Sequence, residues 1–348
     1  MKRIFILFCL IFVSFFSFAQ PKVKNVILLI GDGMGLTQSY AAYLHNGEKL
    51  CMYTFPYTGF SITNCADKKV TDSGAGGTAL AIGHKANYQA IGLDESGNPH
   101  PSVLKYAKQL GKSTAIIVSC DLTHATPASF IANVENRNQQ EEIALQYLQG
   151  HCDIAIGGGA AYFDAKSRKD KLNLQDSLRK QGYSVVYSEK DLYDCSNDKI
   201  FALLDRGHLP EAKKRGDILP KAMQKALDIV QDNENGFFMM IEGSKIDMEA
   251  HLNRYDAMIE EVLDFDRCVE IAAKFAETHP QTLVIVTADH ETGGLTLPAK
   301  NNETKDKWTT LNHTGVPVPI YAFGSGAENF TGVMQNTDIA KKIFDLMK

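Results

Sequence analysis

Acidic residues and histidines recur in this chain where apolar runs end. Asp32 follows Val26 to Ile30 within Gly31-Asp32-Gly33, and Glu242 follows Phe237 to Ile241. Asp289 and His290 follow Thr282 to Thr287, and His313 stands just before Val318 to Phe323. Asp247 and His251 are four residues apart, a spacing that sets both on one face of a helix. Each fragment alone has an ordinary reading: Gly-Asp-Gly makes a turn, an Asp–His pair makes a surface contact, and a lone histidine is usually no ligand. Their sum is different. Three aspartates, three histidines and a glutamate at element ends supply carboxylate and imidazole donors of the kind that hold zinc, with magnesium suited to the carboxylate-rich end.

A candidate nucleophile stands among them. Ser73 lies in Thr71-Asp72-Ser73-Gly74-Ala75-Gly76-Gly77, where small residues permit a tight loop running into a helix. Near that helix N-terminus, backbone N–H groups favour an anion. A serine hydroxyl is a poor nucleophile until a metal or base lowers its pKa; the plainer role for Ser73 is a helix N-cap. The surroundings do not form a GxSxG elbow, which weakens a Ser-His-Asp reading. Further on, His124-Ala125-Thr126-Pro127 follows the apolar run Ser113 to Ser119, and Arg137 comes eleven residues after Thr126. An arginine there could offer a two-pronged grip to phosphate oxygens, although a surface arginine is the commoner case.

These residues need elements to position them. Seven short runs read as strands: Val26 to Ile30, Ser113 to Ser119, Ile154 to Ile156, Tyr183 to Tyr187, Phe237 to Ile241, Thr282 to Thr287 and Val318 to Phe323. Helical patterns lie between, among them Ile143 to Leu148, Leu219 to Val230 and Ala257 to Phe275. Alternating strand and helix predicts an α/β three-layer sandwich, a mostly parallel central sheet flanked by helices. In such sheets functional residues gather beyond the carboxyl ends of the strands. The stretch 162–220 is richer in Lys, Arg and Asp and reads as a solvated elaboration or a lid. Residues 21–348 otherwise read as one catalytic domain.

Composition narrows the class. Charged residues form 22% and hydrophobic residues 44% of the 348, as in a globular chain. The net charge of -5 leaves no basic footprint for nucleic acid, so an anionic substrate must be drawn by local charge. Lys2 and Arg3 precede an apolar run, Ile4 to Phe18, and a small-residue segment at Ser17-Phe18-Ala19. This reads as a signal peptide over 1–20, hence an exported protein, periplasmic or extracellular; the run is short for a membrane anchor. No later stretch is long and apolar enough to span a bilayer. Beyond Cys9, the cysteines are Cys51, Cys65, Cys120, Cys152, Cys195 and Cys268. Proximity suggests disulfides Cys51–Cys65 and Cys152–Cys195, with free buried thiols an equal alternative.

Taken in order, Gly31-Asp32-Gly33-Met34-Gly35, Thr71-Asp72-Ser73, His124-Ala125-Thr126-Pro127 with Arg137, Glu242 through His251, Thr287-Ala288-Asp289-His290 and His313-Thr314-Gly315 resemble the alkaline phosphatases. The resemblance runs from about residue 24 to 323 and implies a phosphomonoesterase working through a phosphoserine. It implies two zinc ions and a third metal. Asp247, His251 and His313 would hold the first zinc, and Asp32, Ser73, Asp289 and His290 the second. Asp32, Thr126 and Glu242 would hold the third metal, usually magnesium, and Arg137 would clamp the phosphate. Two positions depart from the enterobacterial pattern: His124 replaces an aspartate and Met248 a lysine. A histidine beside the third metal makes zinc an alternative to magnesium there. The implied partners are phosphate monoesters and inorganic phosphate; a homodimer is left open.

Overall fold

The chain is organised around one ten-stranded sheet. The structure, a computed structural model, describes residues 22–300, 303–304 and 306–348; the expected leader at 1–20 lies outside them. The strands are β1 (Asn25–Gly31), β2 (Tyr57–Ile62), β3 (Ser113–Asp121), β4 (Ile154–Gly158), β5 (Ser184–Val186), β6 (Ile200–Leu203), β7 (Phe237–Gly243), β8 (Thr282–Thr287), β9 (Glu291–Thr292), β10 (Ala299–Lys300), β11 (Glu303–Thr304), β12 (His313–Thr314), β13 (Val318–Gly324) and β14 (Gly332–Gln335). The main helices are α1 (Leu36–His45), α2 (Ser73–Ile82), α3 (Val103–Gln109), α4 (Ala125–Ile131), α5 (Gln140–Gln146), α6 (Leu174–Lys180), α7 (Glu189–Asp194), α8 (Ala212–Arg215), α9 (Ile218–Val230), α10 (Lys245–His251), α11 (Tyr255–Thr278) and α12 (Asn336–Met347).

The sheet order is β14-β2-β13-β8-β1-β7-β3-β4-β6-β5. Every neighbouring pair is parallel except those of β13, which runs antiparallel to both β2 and β8. The central strands are buried on both faces, which is why β1 reads as an unbroken apolar run, NVILLIG. Successive side chains still alternate between layers. Val26, Leu28 and Ile30 pack with α2, α3, α4 and α12, whereas Ile27 and Leu29 pack with α1, α9 and α11. This is the expected three-layer sandwich.

All seven strand-like runs are strands. Three strands of the ten-stranded sheet carried no clear signal: β2 is half exposed, β6 has four residues and β14 is a short edge. Residues 162–220 supply β5 and β6 to one end of the sheet, with Phe201 and Leu203 in the core. The suggested disulfides are corrected. All six described cysteines are free. Cys51 packs against the α9–α11 layer while Cys65 sits in a separate cluster with Ala75, Ala86 and Ala90. Cys152 belongs to the α2–α4 layer and Cys195 to the opposite one, so the sheet stands between them.

Candidate functional site

The alternation of side chains carries four donors to one place. On β1 the positions Leu28 and Ile30 face the α2–α4 layer, so Asp32, next in that series, emerges on the same side. Phe238 and Met240 lead likewise to Glu242 on β7, Ile116 and Val118 to Cys120 on β3, and Leu283 and Ile285 toward Asp289 beyond β8. These strands lie side by side in the order β8-β1-β7-β3, with Ile30 level with both Glu242 and Thr287. A row of Asp289, Asp32, Glu242 and Cys120 therefore crosses the carboxyl ends of adjacent strands, and each member is fully buried.

Ser73 opens α2 above this row. The helix cap is Asp72, whose carboxylate accepts from the N–H groups of Gly74 (3.0 Å) and Ala75 (3.2 Å). Ser73 is thus released from capping, and its Oγ lies 3.1 Å from His290 Nε2. The glycines that follow are needed for approach: a Cβ at Gly76 would stand 2.9 Å from the Asp289 carbonyl oxygen, and one at Gly77 3.2 Å from the Thr126 Cα. Asp72 also accepts from the Gln89 N–H (2.8 Å) and from Arg137 Nη1 (3.0 Å). Arg137 is thereby aimed at the mouth of the site. Burial disfavours its charge, but Asp72, with Asp32 and Asp247 farther off, holds its pKa above the ordinary value.

Ring protons can be assigned from what each histidine touches. A carbonyl oxygen only accepts. His251 Nδ1 is 2.5 Å from Leu311 O and His313 Nδ1 is 2.9 Å from Thr71 O, so both Nδ1 atoms carry the hydrogen. Their Nε2 atoms then face each other at 3.0 Å, with Asp247 Oδ1 at 3.3 Å and 3.6 Å. Two lone pairs and a carboxylate directed at one point fit a cation. His290 follows the same logic through Thr292, whose hydroxyl donates to Asp247 Oδ1 (2.5 Å) and so accepts from His290 Nδ1 (3.2 Å). The bare His290 Nε2 faces Ser73, Asp289 Oδ2 (3.2 Å) and Asp32 Oδ1 (3.5 Å). Burial first, then His313, Arg137 and His251, push His290 well below its ordinary pKa, which keeps it neutral and able to ligate.

The carboxylates are crowded. Burial, then Asp289, Asp247 and Glu242, raise Asp32 well above its usual range. Burial raises Glu242 to about 7, and burial with Asp247 raises Asp289 to about 8. Both Asp32 oxygens, Asp289 Oδ2, Glu242 Oε1 and Thr126 Oγ1 are buried without a hydrogen-bond partner. Buried polar atoms are rarely left so, and divalent cations would both partner them and relieve the repulsion. Three groupings have donor atoms close enough to share an ion: Asp247, His290 and His313; Asp32, Asp289 and His290; and Cys120, His124 and Glu242.

The structure brings together every residue singled out from the sequence: Asp32, Ser73, His124, Thr126, Arg137, Glu242, Asp247, His251, Asp289, His290 and His313. It also adds four that went unassigned. Asp72 orients Arg137, Thr292 sets the His290 tautomer, and Cys120 continues the donor row. His208, in the loop before α8, accepts at Nδ1 from the Asp121 N–H (3.1 Å) and packs edge-on against the His124 ring. A polar pocket of about 610 Å³ leads in, lined by Lys68, Tyr88, Arg137, Asn138, His251 and His313 among others.

Comparison with known proteins agrees with this geometry. The sequence model described as alkaline phosphatase matches residues 23–304 and 298–348. Alkaline phosphatase 4 of Bacillus subtilis is 32% identical over an alignment covering 94% of this chain and 90% of that protein. Alkaline phosphatase of Escherichia coli is 28% identical, covering 93% and 86%. The solved alkaline phosphatase of the Antarctic bacterium TAB5 superposes with a TM-score of 0.89 at 35% identity, covering 94% of this chain and 98% of that one. A His-to-Asp variant of that enzyme has magnesium bound in its M3 site.

Proposed function

This chain belongs to the alkaline phosphatase family of phosphomonoester hydrolases, and from that premise we propose that Ser73 is its nucleophile in a three-cation site. Asp247, His251 and His313 would hold one zinc, and Asp32, Ser73, Asp289 and His290 a second. Asp32, Thr126 and Glu242 would hold the third cation, magnesium or zinc, with His124 beside it. Bound there, the cations neutralise the substrate's charge and lower the pKa of oxygens that contact them.

The observation that carries the reading is the freed hydroxyl of Ser73. It sits at a helix N-terminus, uncommitted to capping, among unpartnered carboxylate oxygens. Arg137, fixed by Asp72, grips two oxygens of the transferring phosphoryl group. Ser73 Oγ attacks phosphorus in line, losing its proton as the ester bond to the alcohol breaks and the alcohol leaves. Water then attacks the phosphoserine, regenerating the Ser73 hydroxyl and releasing phosphate. The polar lining of the mouth suits phosphate monoesters with varied alcohol portions. The leader read over 1–20 supports export to the periplasm or beyond.

The test compares an aryl phosphate monoester with the matching diester, before and after chelation. A chelator-sensitive preference for the monoester is expected. S73A should lose turnover while keeping its metal content; an unchanged rate in S73A would refute the nucleophile assignment. Preference for the diester would overturn the roles given to Thr126 and Glu242.

A further inference from the structure

Among the three groupings of donor atoms, one contains a sulfur. Cys120 ends the row across β8, β1, β7 and β3, and its Sγ lies 3.4 Å from Glu242 Oε2 and 3.2 Å from the Asp121 carbonyl oxygen. The side chain is fully buried. Its place is held by reciprocal bonds between strand ends: the Cys120 N–H donates to Ser244 Oγ (3.2 Å) and the Ser244 N–H to Ser119 Oγ (3.0 Å).

Two further atoms at the same spot point to a ligand. Glu242 Oε1 and Thr126 Oγ1 belong to fully buried residues and have no hydrogen-bond partner. His124 is close enough to share an ion with Cys120 and Glu242, and its Nδ1 too is buried without a hydrogen-bond partner. Arg137 can only donate, so at 3.2 Å its Nη2 donates to His124 Nε2 and the ring hydrogen stands on Nδ1. While Arg137 holds Nε2, the sulfur is the soft donor with free lone pairs.

We propose that Cys120 is a ligand of the third cation, and that this site consequently selects zinc, or another thiophilic ion, over magnesium. The inference rests on the three-cation reading above. Magnesium requires oxygen donors in near-octahedral order and keeps several waters, whereas thiolate with carboxylate suits zinc. On binding, the S–H bond is exchanged for a sulfur–metal bond and the proton leaves to solvent. A divalent ion is what makes that exchange favourable in a buried acidic pocket.

The test loads the chelated mature protein with cobalt(II) and records metal content and ultraviolet absorption together. Three cobalt ions per chain with a thiolate-to-cobalt charge-transfer band are expected, and C120S should lose the band. Equilibrated against zinc and magnesium together, the native chain should retain three zinc ions. C120S should retain two zinc ions and one magnesium, with the third site at least about tenfold weaker for zinc. Three bound cobalt ions without the band would overturn the ligand role alone, as would unchanged metal selection in C120S. Fewer than three ions on the native chain would overturn the three-cation reading and this inference with it. Should C120S fail to fold, the native spectrum decides, because among the described residues no other cysteine joins a candidate metal cluster.

Discussion

Removing the Asp72 carboxylate should loosen Arg137 and weaken phosphate binding more than it slows the chemical step. Asp72 serves four partners at once: the N–H groups of Gly74, Ala75 and Gln89, and the Arg137 guanidinium. Its side chain is 4% exposed and that of Arg137 19%, so the pair is buried enough for loss of one member to matter. Breaking such a pair costs about 3–5 kcal/mol, and the partial exposure of Arg137 places D72A near the lower end. Loss of the cap adds about 1 kcal/mol. D72N is the sharper probe. Its oxygen can still accept from Ala75 and Gln89, but its amide nitrogen would face two donors, Gly74 N–H and Arg137 Nη1. Arg137 then swings free, and one of its two charge-assisted bonds to phosphate is lost for much of the time. At about 1.5–3 kcal/mol for a full bond, a loss of half of it raises the phosphate inhibition constant by about 4- to 13-fold. The assay is competitive inhibition of aryl phosphate hydrolysis by inorganic phosphate, with chemical denaturation of the same metal-loaded samples. An unchanged inhibition constant in a D72N protein of near-native stability would refute the claim that Asp72 positions Arg137.

Other perturbations separate stability from catalysis. Arg215 is fully buried against Glu261 (2.6 Å) and Asp264 (2.5 Å) of α11, so R215A strands the Glu261 carboxylate, leaves Asp264 to Arg267 alone and should lose about 3 kcal/mol by denaturant titration; a loss under about 0.5 kcal/mol would contradict that account. In chelated protein, Glu242 at about 7 and Asp289 at about 8 both lie above their unfolded values. Their stabilising contribution is complete below the unfolded pKa and disappears as pH rises through 7 and 8, so the melting temperature should fall from about pH 5 to about pH 9. Divalent cations should flatten or reverse that slope, and a chelated protein that gains stability across the range would disprove the crowding argument. T292V deletes the acceptor that holds the hydrogen on His290 Nδ1, and zinc affinity should drop about 10–100-fold by competition with a chelating dye; equal affinity would mean the tautomer is fixed otherwise.

What could be read from the sequence is what local pattern encodes. Continuous apolar runs announce doubly buried parallel strands, and a charged residue closing such a run is conspicuous because burial there is costly. Asp32, Glu242 and Asp289 were visible for that reason, as was the i, i+4 pair Asp247 and His251. The strands β2, β6 and β14 were not, since a half-exposed or four-residue strand has no period to display. The antiparallel course of β13 also leaves no local trace, because an apolar run reads alike in either direction.

The residues that tune the site were hidden for a deeper reason. Asp72 looks like an ordinary cap until Arg137, 65 residues later, is found on its other oxygen. Thr292 resembles a loop threonine until its single hydrogen is seen to be spent on Asp247, which forces His290 to donate to it. Cys120 reads as the apolar end of a strand until the order β8-β1-β7-β3 sets it beside Glu242. In each case the side chain's chemical type is common and its function comes from one neighbour distant in sequence. Motif spacing can therefore indicate which carboxylates, imidazoles and hydroxyl a chain of this family gathers at one place. Which proton sits on which nitrogen, and which side chain stands beside Glu242, are decided by strand order and by hydrogen bonds between segments far apart in the chain.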